Sequence, residues 1–503
     1  MSSSQLLVVL DRDSPVPLQQ QLCEQIGGSV RSGRLRPGDP VPPSRELAHQ
    51  LGVSRTVVTR AYELLRANGV LTARRGSGTR VSGELPDERR ESGPALRAPL
   101  RPEPPLPTDT GSGLWQPWEP APTHLPDAAY DFRHGTPALA SFPVARWRQS
   151  LAAAVSRADA TTLGYGPAEG TPALRTRIAA LLRRSRAFDA APEHTVVTSG
   201  ATQAMDILVR LLVGPDEVVV IEDPSHTVLR QIFGYSRAAV VPVPVDEEGL
   251  RVDEIDDRVR AHGHHPGRVR LVYVTPSHQF PTGFVMSERR RRELLRWARG
   301  RAATVLEDDY HNEFTFAPGR LSALAADARD ADVVYVGSFS KTLFPSLRIG
   351  YAVLPPHLVR PFLGVKWITD RLTPTVTQAA LAEFIGSGAY ARHISRMDRL
   401  YRQRRARLLE ALYEHFGAGV RISGAAAGLH VLVTLSDAPG TEESAIVRAA
   451  AARDVRVYPA SGYFAIRPPV EPTFLIGYAA LSTARITEGV ALLAAAVRQA
   501  TAR

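Results

Sequence analysis

Residues 332–351 read DVVYVGSFSKTLFPSLRIGY, an apolar, β-branched run that breaks at small polar residues and delivers a lysine, Lys341. Val333 to Val336 predict a buried strand, and Gly337 to Ser340 predict the turn that ends it. The lysine is unusual for this chain. Of 61 lysines and arginines, only Lys341 and Lys366 are lysine. Arginine can replace lysine as a surface charge, but it stays protonated and cannot act as an amine nucleophile. Lys341 is therefore a candidate for chemistry that needs a free amine. The alternative is a lysine that survives by chance in an arginine-biased composition, and its surroundings must decide.

Strand-like runs of the same kind recur upstream: HTVVTSG (194–200), EVVVIEDP (217–224), VRLVYVTP (269–276) and ATVLEDD (303–309). Helical stretches such as ATQAMDILVRLLVG (201–214) and SERRRRELLRWARGRA (287–302) alternate with them. From about Asp131 onward this alternation predicts an α/β fold, a mostly parallel sheet with helices on both faces. No internal repeat interrupts it.

With 503 residues, 44% of them apolar, the chain is long enough for two or three globular domains. It shows no basic leader and no apolar stretch long enough to span a bilayer, so the expectation is a cytoplasmic protein with no membrane partner. The single cysteine, Cys23, excludes an intramolecular disulfide and a cysteine-based metal cage, and no metal is expected. Cys23 reads as a small core residue on a helix. The formal charge of +10 is unevenly spread, because residues 1–83 hold eleven arginines against six acids. Residues 84–128 carry eleven prolines and little periodicity, which predicts an extended, semi-stiff linker. Its two tryptophans, Trp115 and Trp118, predict that its end docks on the next domain. The expected organisation is a basic head at 1–83, a linker at 84–128 and a large domain at 129–503.

Within the head, SRELAHQL, the turn GVS, the helix RTVVTRAYELLRANG and the ribbon VLTARRGSGTRVS follow one another. Ser44 and Ser54 stand at the two helix starts, where a hydroxyl can satisfy an orphan N–H, and Gly52 suits the tight turn of a helix-turn-helix. The second helix is expected to bury Val57, Val58, Ala61, Leu64 and Leu65. Its other face offers Arg55, Thr56, Thr59 and Arg60 to base edges and phosphates of a major groove. The ribbon reads as a wing around Gly76, with Arg74, Arg75 and Arg80 available to phosphates or the minor groove. The competing reading is a small helical domain with an ordinary arginine-rich solvated face. The stretch GDPVPPSRELAHQLGVSRTVVTRAYELLRANGVLTARRGSGTRV resembles the GntR family of winged helix-turn-helix repressors. That resemblance implies double-stranded DNA as partner, with Arg45, Arg55, Thr56 and Thr59 facing it.

A lysine nucleophile needs an electrophile held beside it with its charges neutralised. Pyridoxal phosphate is such an electrophile and leaves three further marks: a phosphate cradle, an acid at the pyridine nitrogen and a side chain over the ring. Ser199, Gly200, Ala201 and Thr202 connect a strand end to a helix N-terminus, which aims N–H groups at an anion. Ser338 and Arg348 can add a hydroxyl and a bidentate fork. Glu307, Asp308, Asp309 and Tyr310 close another strand at the same sheet edge, where ligands of parallel α/β sheets collect. Chain direction favours Asp308 for the pyridine nitrogen and Tyr310 for the ring hydroxyl, with Asp309 left to cap the next helix. His226 in EDPSHT can stack on the ring, although a histidine there also suits an ordinary polar loop.

Taken together, DFRHGTPALASFP, LGYGPAEGTPALR, TPSHQFPTG, EDDYHNEF and SFSKTLFPSLRIGY resemble a fold type I pyridoxal-phosphate aminotransferase with large and small subdomains. With the head attached, the chain is similar to the MocR subfamily of bacterial regulators. The resemblance implies that Lys341 bonds the cofactor, that Asp308 pairs with the pyridine nitrogen, and that Ser338 and Arg348 hold the phosphate. It also counts Gly200, Ala201, Thr202, His226, His278 and Tyr310 among the cofactor's surroundings, and it implies a homodimer that responds to a small-molecule effector. The sequence departs from the enzymes of that family at three places. His226 stands where an aromatic ring is usual, Phe280 replaces the asparagine of NPTG, and Leu475 in FLIGYA replaces the arginine that grips a substrate carboxylate. Other arginines, such as Arg467 in FAIRPP, are candidate substitutes. A leucine cannot pair a carboxylate, so the expected function is a DNA-binding transcriptional regulator that senses an amine, an amino acid or the cofactor itself. The alternative is a working aminotransferase with an autoregulatory head.

Overall fold

The computed structural model describes residues 8, 10–74, 78–83, 128–236, 238–310, 313–316, 322–328 and 330–502. The chain divides into two units, Met1–Thr108 and Asp109–Arg503. Arg75 and Gly76 of the expected wing, and the proline-rich stretch with Trp115 and Trp118 as far as residue 127, lie outside the described residues.

In the first unit, helices α1 (Leu18–Arg31), α2 (Ser44–Leu51) and α3 (Arg55–Ala67) are followed by an antiparallel hairpin of β1 (Leu71–Arg74) and β2 (Gly78–Val81). Leu22, Ile26, Leu47, Val58, Ala61, Leu65, Leu71 and Val81 share one core. On α3 the buried residues are Val58, Ala61, Tyr62 and Leu65, the i, i+3, i+4, i+7 set of one helical face. The expected Leu64 falls off that stripe and is exposed, and Val57 is only half-buried. Tyr62 takes the inner position, with its hydroxyl donating to the Pro42 carbonyl at 2.8 Å. The serines also behave differently from expectation. Pro43 precedes the first turn of α2, and Ser54 caps α3 with extended backbone but no side-chain bond to a helix N–H. Gly52 does end α2 in the left-handed region, at φ 63°, the conformation for which glycine carries no Cβ penalty. Cys23 is half-buried on α1, as expected of a small core residue.

In the second unit, β3 (Tyr130–Asp131) is followed by β4 (Thr195–Thr198), β5 (Val218–Asp223), β6 (Ala239–Asp246), β7 (Gly249–Leu250), β8 (Val269–Val274), β9 (Thr304–Asp309), β10 (Val333–Ser338) and β11 (Gly350–Val353). Strands β4 to β11 form one sheet in the order β4-β11-β10-β9-β8-β5-β6-β7. The pairs from β10 through β6 are parallel, while β11 runs antiparallel to both β10 and β4. Every residue of β4 and β5 is buried, as strands covered on both faces must be. Separate apolar clusters lie against the two faces. A smaller sheet of β12 (Val420–Ser423), β13 (His430–Leu435), β15 (Tyr458–Pro459) and β16 (Thr473–Gly477) packs with helices Ala389–Phe416 and Thr483–Thr501. Strand β14 (Val455–Arg456) pairs with β3. The large sheet carries the carboxyl ends of β4, β5, β9 and β10 to one edge.

Candidate functional site

The acidic end of β9 illustrates how the pleat sorts side chains. Alternation along the strand places Leu306 against one helix layer and Val305 against the other, so Asp308 follows Leu306, while Glu307 and Asp309 follow Val305. Asp308 accepts a hydrogen bond from the Tyr273 hydroxyl at 2.8 Å on Oδ2, and its Oδ1 is buried with no partner among the described residues. Burial pushes its pKa up to about 7, opposed by the Tyr273 hydrogen bond and by Lys341. Glu307, not Asp309, receives a helix start, accepting the Leu324 and Ala325 N–H groups at 2.8 Å each. Asp309 instead pairs with the buried Arg186 at 2.6 Å and accepts from the Tyr335 hydroxyl, so its expected capping role is corrected. Asp309, one residue from Asp308, points to the opposite layer, where Arg186 lies. Arg186→Ala leaves that carboxylate buried without its cation, and the expected loss is about 3–5 kcal/mol. It is read as a lower urea midpoint for unfolding of this unit.

Lys341 follows the end of β10, and its Nζ donates to the Gly135 carbonyl at 2.7 Å. Gly135 has φ +71°, and a Cβ there would come within 2.9 Å of that Nζ. Burial lowers the Lys341 pKa while Asp308 raises it, so the free amine is reached more easily than on an exposed lysine. The lysine opens on a cavity of about 340 Å³. Ala201, Thr202, His226, Asp308, Tyr310, Ser338 and Arg348 line it, which brings together residues drawn from four separate strand ends. Gly200 caps helix Ala201–Leu212 at φ 92°, and a Cβ there would lie 2.8 Å from Arg348 Nη2. That nitrogen donates to the Ser199 carbonyl at 2.8 Å, and the Ser338 hydroxyl meets Ser340 Oγ at 3.0 Å.

His226 reaches the cavity but also caps helix Thr227–Gly234, its Nδ1 accepting from Val228 N–H at 3.3 Å. His278 lies behind the lining, its Nδ1 3.0 Å from the Tyr310 hydroxyl. Burial draws both imidazoles down to about 4, so both are uncharged at neutral pH, His226 beside the lysine and His278 behind Tyr310. Among the lining residues that the sequence reading did not place there are His134, Gly135, Tyr273 and Phe280. The HG of DFRHGTP was a usable signal for the first two, and the inward parity of Tyr273 on β8 for the third. Leu475 is fully buried on β16 with Phe280, Leu432 and Ala460, against Tyr310, Tyr458, Tyr463 and Phe464. Arg467, the candidate substitute, is exposed.

Pyridoxal phosphate fits this donor set. The orphaned, buried Oδ1 of Asp308 is an acceptor without a donor, and the glycines at 135 and 200 keep clear the space beside the lysine and the arginine. The cofactor supplies an electrophilic aldehyde on an electron-withdrawing ring.

On the first unit, Arg45, Arg55, Thr56 and Arg60 are exposed, and Thr59 is half-buried. The α2–α3 turn that presents them is tied by Arg12, whose Nη2 donates to the Gly52 carbonyl at 2.7 Å. The hairpin expected as the wing is present, with Arg74 opposite Gly78. Arg80 spends one donor on the Gly38 carbonyl, at 2.9 Å.

Comparison with known proteins agrees with this division. The bacterial regulatory proteins of the gntR family match residues 18–81, and aminotransferase class I and II matches residues 130–493. A probable rhizopine catabolism regulatory protein, MocR, of Rhizobium meliloti is 33% identical, covering 96% of this chain and 94% of its own. The chain belongs to the MocR subfamily of GntR-type regulators. Another relative of this MocR-type chain, the pyridoxine biosynthesis transcriptional regulator PdxR of Corynebacterium glutamicum, is 31% identical over 91% of each chain. Among solved structures, the α-aminoadipate aminotransferase LysN of Thermus thermophilus, complexed with N-(5'-phosphopyridoxyl)-L-leucine, aligns at TM-score 0.66. It is 29% identical and covers 74% of this chain and 92% of its own. The MocR-type body is thus a fold type I aminotransferase domain, and its cofactor is pyridoxal phosphate. No helix among the described residues is long and apolar enough to cross a membrane.

Proposed function

We propose that this chain is a DNA-binding transcriptional regulator whose pyridoxal-phosphate domain senses a small amine, an amino acid or the cofactor itself. The observation that carries the reading is one chain holding both an exposed recognition face and a furnished lysine cavity whose carboxylate-gripping position is a buried leucine. Relatives named as transcriptional regulators match head and body together, which supports it.

In this reading Lys341 would offer its amine to the aldehyde, and Asp308 Oδ1, buried without a donor, would accept from the pyridine nitrogen. Arg348, Ser338 and the N–H groups of Ala201 and Thr202 would hold the phosphate. His226 would lie against the ring, and Tyr310, steadied by His278, would hydrogen-bond the ring hydroxyl. Phe280 and Tyr310 line the cavity with Leu475, Tyr458 and Tyr463 packed behind them, an apolar and aromatic setting that disfavours a carboxylate because an unpaired buried charge is costly. The head occupies about 1–83, the linker 84–128 and the body 129–503, and the protein works in the cytoplasm. A homodimer is supported by the exposed Leu163, Tyr165, Trp367 and Ile368, with the Arg371 guanidinium over the Tyr165 and Trp367 rings. An apolar group of this kind on the surface suits a protein interface.

The test is a fluorescence-anisotropy titration of the full chain with DNA from upstream of its own gene and with a shuffled duplex, at physiological salt. Selective binding by about three orders of magnitude is the expected result for a regulator. Equal affinity for the two duplexes would sink the regulatory reading.

A further inference from the structure

The chain's second lysine is also placed where arginine does not serve. Lys366 sits on helix Pro356–Thr369 with none of its side chain exposed. A buried ammonium has to be paired, and its Nζ lies 2.7 Å from Asp370 Oδ1 and 3.3 Å from Thr373 Oγ1. A compact ammonium on a flexible stem suits these two acceptors, whereas the planar guanidinium is longer and carries five donors.

The bonding continues from Asp370. Its second oxygen, Oδ2, accepts the Ser199 hydroxyl at 3.2 Å. Ser199 is the residue immediately before Gly200–Thr202, and it is held from two other directions. Its N–H donates to Gln203 Oε1 at 2.7 Å, and its carbonyl accepts Arg348 Nη2 at 2.8 Å. One unbroken series therefore runs from Lys366 through Asp370 and Ser199 to the Arg348 guanidinium. We propose that Lys366 and Asp370 are positioning residues for the phosphate cradle, fixing Ser199 and through it both the turn at Gly200 and the aim of Arg348. This rests on the assignment of the cofactor's phosphate to Ala201, Thr202, Ser338 and Arg348. It extends that assignment to a side-chain pair that neither lines the cavity nor touches the cofactor.

Phosphate-free pyridoxal offers a probe that separates positioning from general packing. In its open form it keeps the aldehyde and the ring and makes no demand on the cradle, and since its internal hemiacetal is common to wild type and variants, each compound is compared as the ratio of variant to wild type. Binding of pyridoxal phosphate and of pyridoxal to the full-length protein is titrated by visible absorbance in wild type, Lys366→Met and Ser199→Ala. Both variants are expected to weaken pyridoxal phosphate by about tenfold or more and pyridoxal by less than about threefold. A fall of similar size for both compounds, or no fall for pyridoxal phosphate, overturns the proposal. Lys366→Met leaves Asp370 without its buried cation, and its folding is checked by circular dichroism. Should it fail to fold, Ser199→Ala decides alone, because it breaks the series while leaving the Lys366–Asp370 pair intact. Wild type binding the two compounds equally well is a different failure: it overturns the cradle assignment, and the positioning role with it.

Discussion

Lys341→Ala is expected not to gain the protein-bound absorption band that wild type gains with pyridoxal phosphate, once the absorbance of the free cofactor is subtracted. The band requires a carbon–nitrogen bond between the lysine amine and the aldehyde. The other lysine, Lys366, is committed to Asp370. Lys341→Arg should fail equally, although it keeps the positive charge opposite Asp308, because the guanidinium does not give up its proton. The pair of variants separates charge from nucleophilicity. Asp308→Asn has a distinct expected signature: the band still forms but with altered position and weaker affinity, since the amide keeps the contact with Tyr273 and loses the charge that favours a protonated pyridine. If Lys341→Ala retains the wild-type band, the cofactor is held by another amine and the cavity described here is not its site. The same titration, repeated with amines and amino acids added to wild type, identifies as effector whichever compound shifts the band.

Much of this site was legible in the sequence because its logic is local. A strand that ends in a polar turn delivers its last side chains to one sheet edge, so Lys341, Asp308, Ala201 and His226 could each be placed without a structure. Three adjacent carboxylates could not be told apart fully. Asp308 was assigned to the cavity by chain direction, but the roles of Glu307 and Asp309 depended on what faced them across the sheet, a helix start at Leu324 and the guanidinium of Arg186. Both partners are remote in sequence, and no local pattern encodes them. The head shows the same limit on a smaller scale. The period of α3 was plain, yet one position of phase decided between Leu64 and Tyr62, and the Pro42 carbonyl that holds Tyr62 lies twenty residues away. The part played by His134 was hidden for a similar reason: it reaches Lys341's cavity from a segment next to β3, more than two hundred residues upstream, and its Nε2 meets the Tyr463 hydroxyl at 3.0 Å.

Arg55→Ala in the recognition helix is expected to weaken binding to the upstream DNA by about 1–3 kcal/mol, roughly five- to 150-fold, without changing the absorbance of the cofactor-loaded body. Arg55 opens α3 and is exposed, at the end of the helix that enters the groove first in this class of domain. Its truncation removes no core contact, so the melting temperature of the head should stay within about 4 °C of wild type, in line with a surface change below about 0.5 kcal/mol. The manner of the loss then tells what Arg55 reads. A contact to a guanine edge relaxes the preference at one base pair and leaves the salt dependence as it was. A phosphate contact weakens all sequences alike and lowers the slope of log K against log salt by about one. Thr59, one turn further on and half-buried, provides the internal comparison: Thr59→Ala removes a hydroxyl without removing charge, so its effect should fall on sequence preference and leave the salt slope unchanged. Binding by Arg55→Ala indistinguishable from wild type, in both affinity and salt slope, would mean that α3 does not enter the groove by its first turn. The DNA-facing surface would then have to be sought on the hairpin and on α2, where Arg45 is exposed.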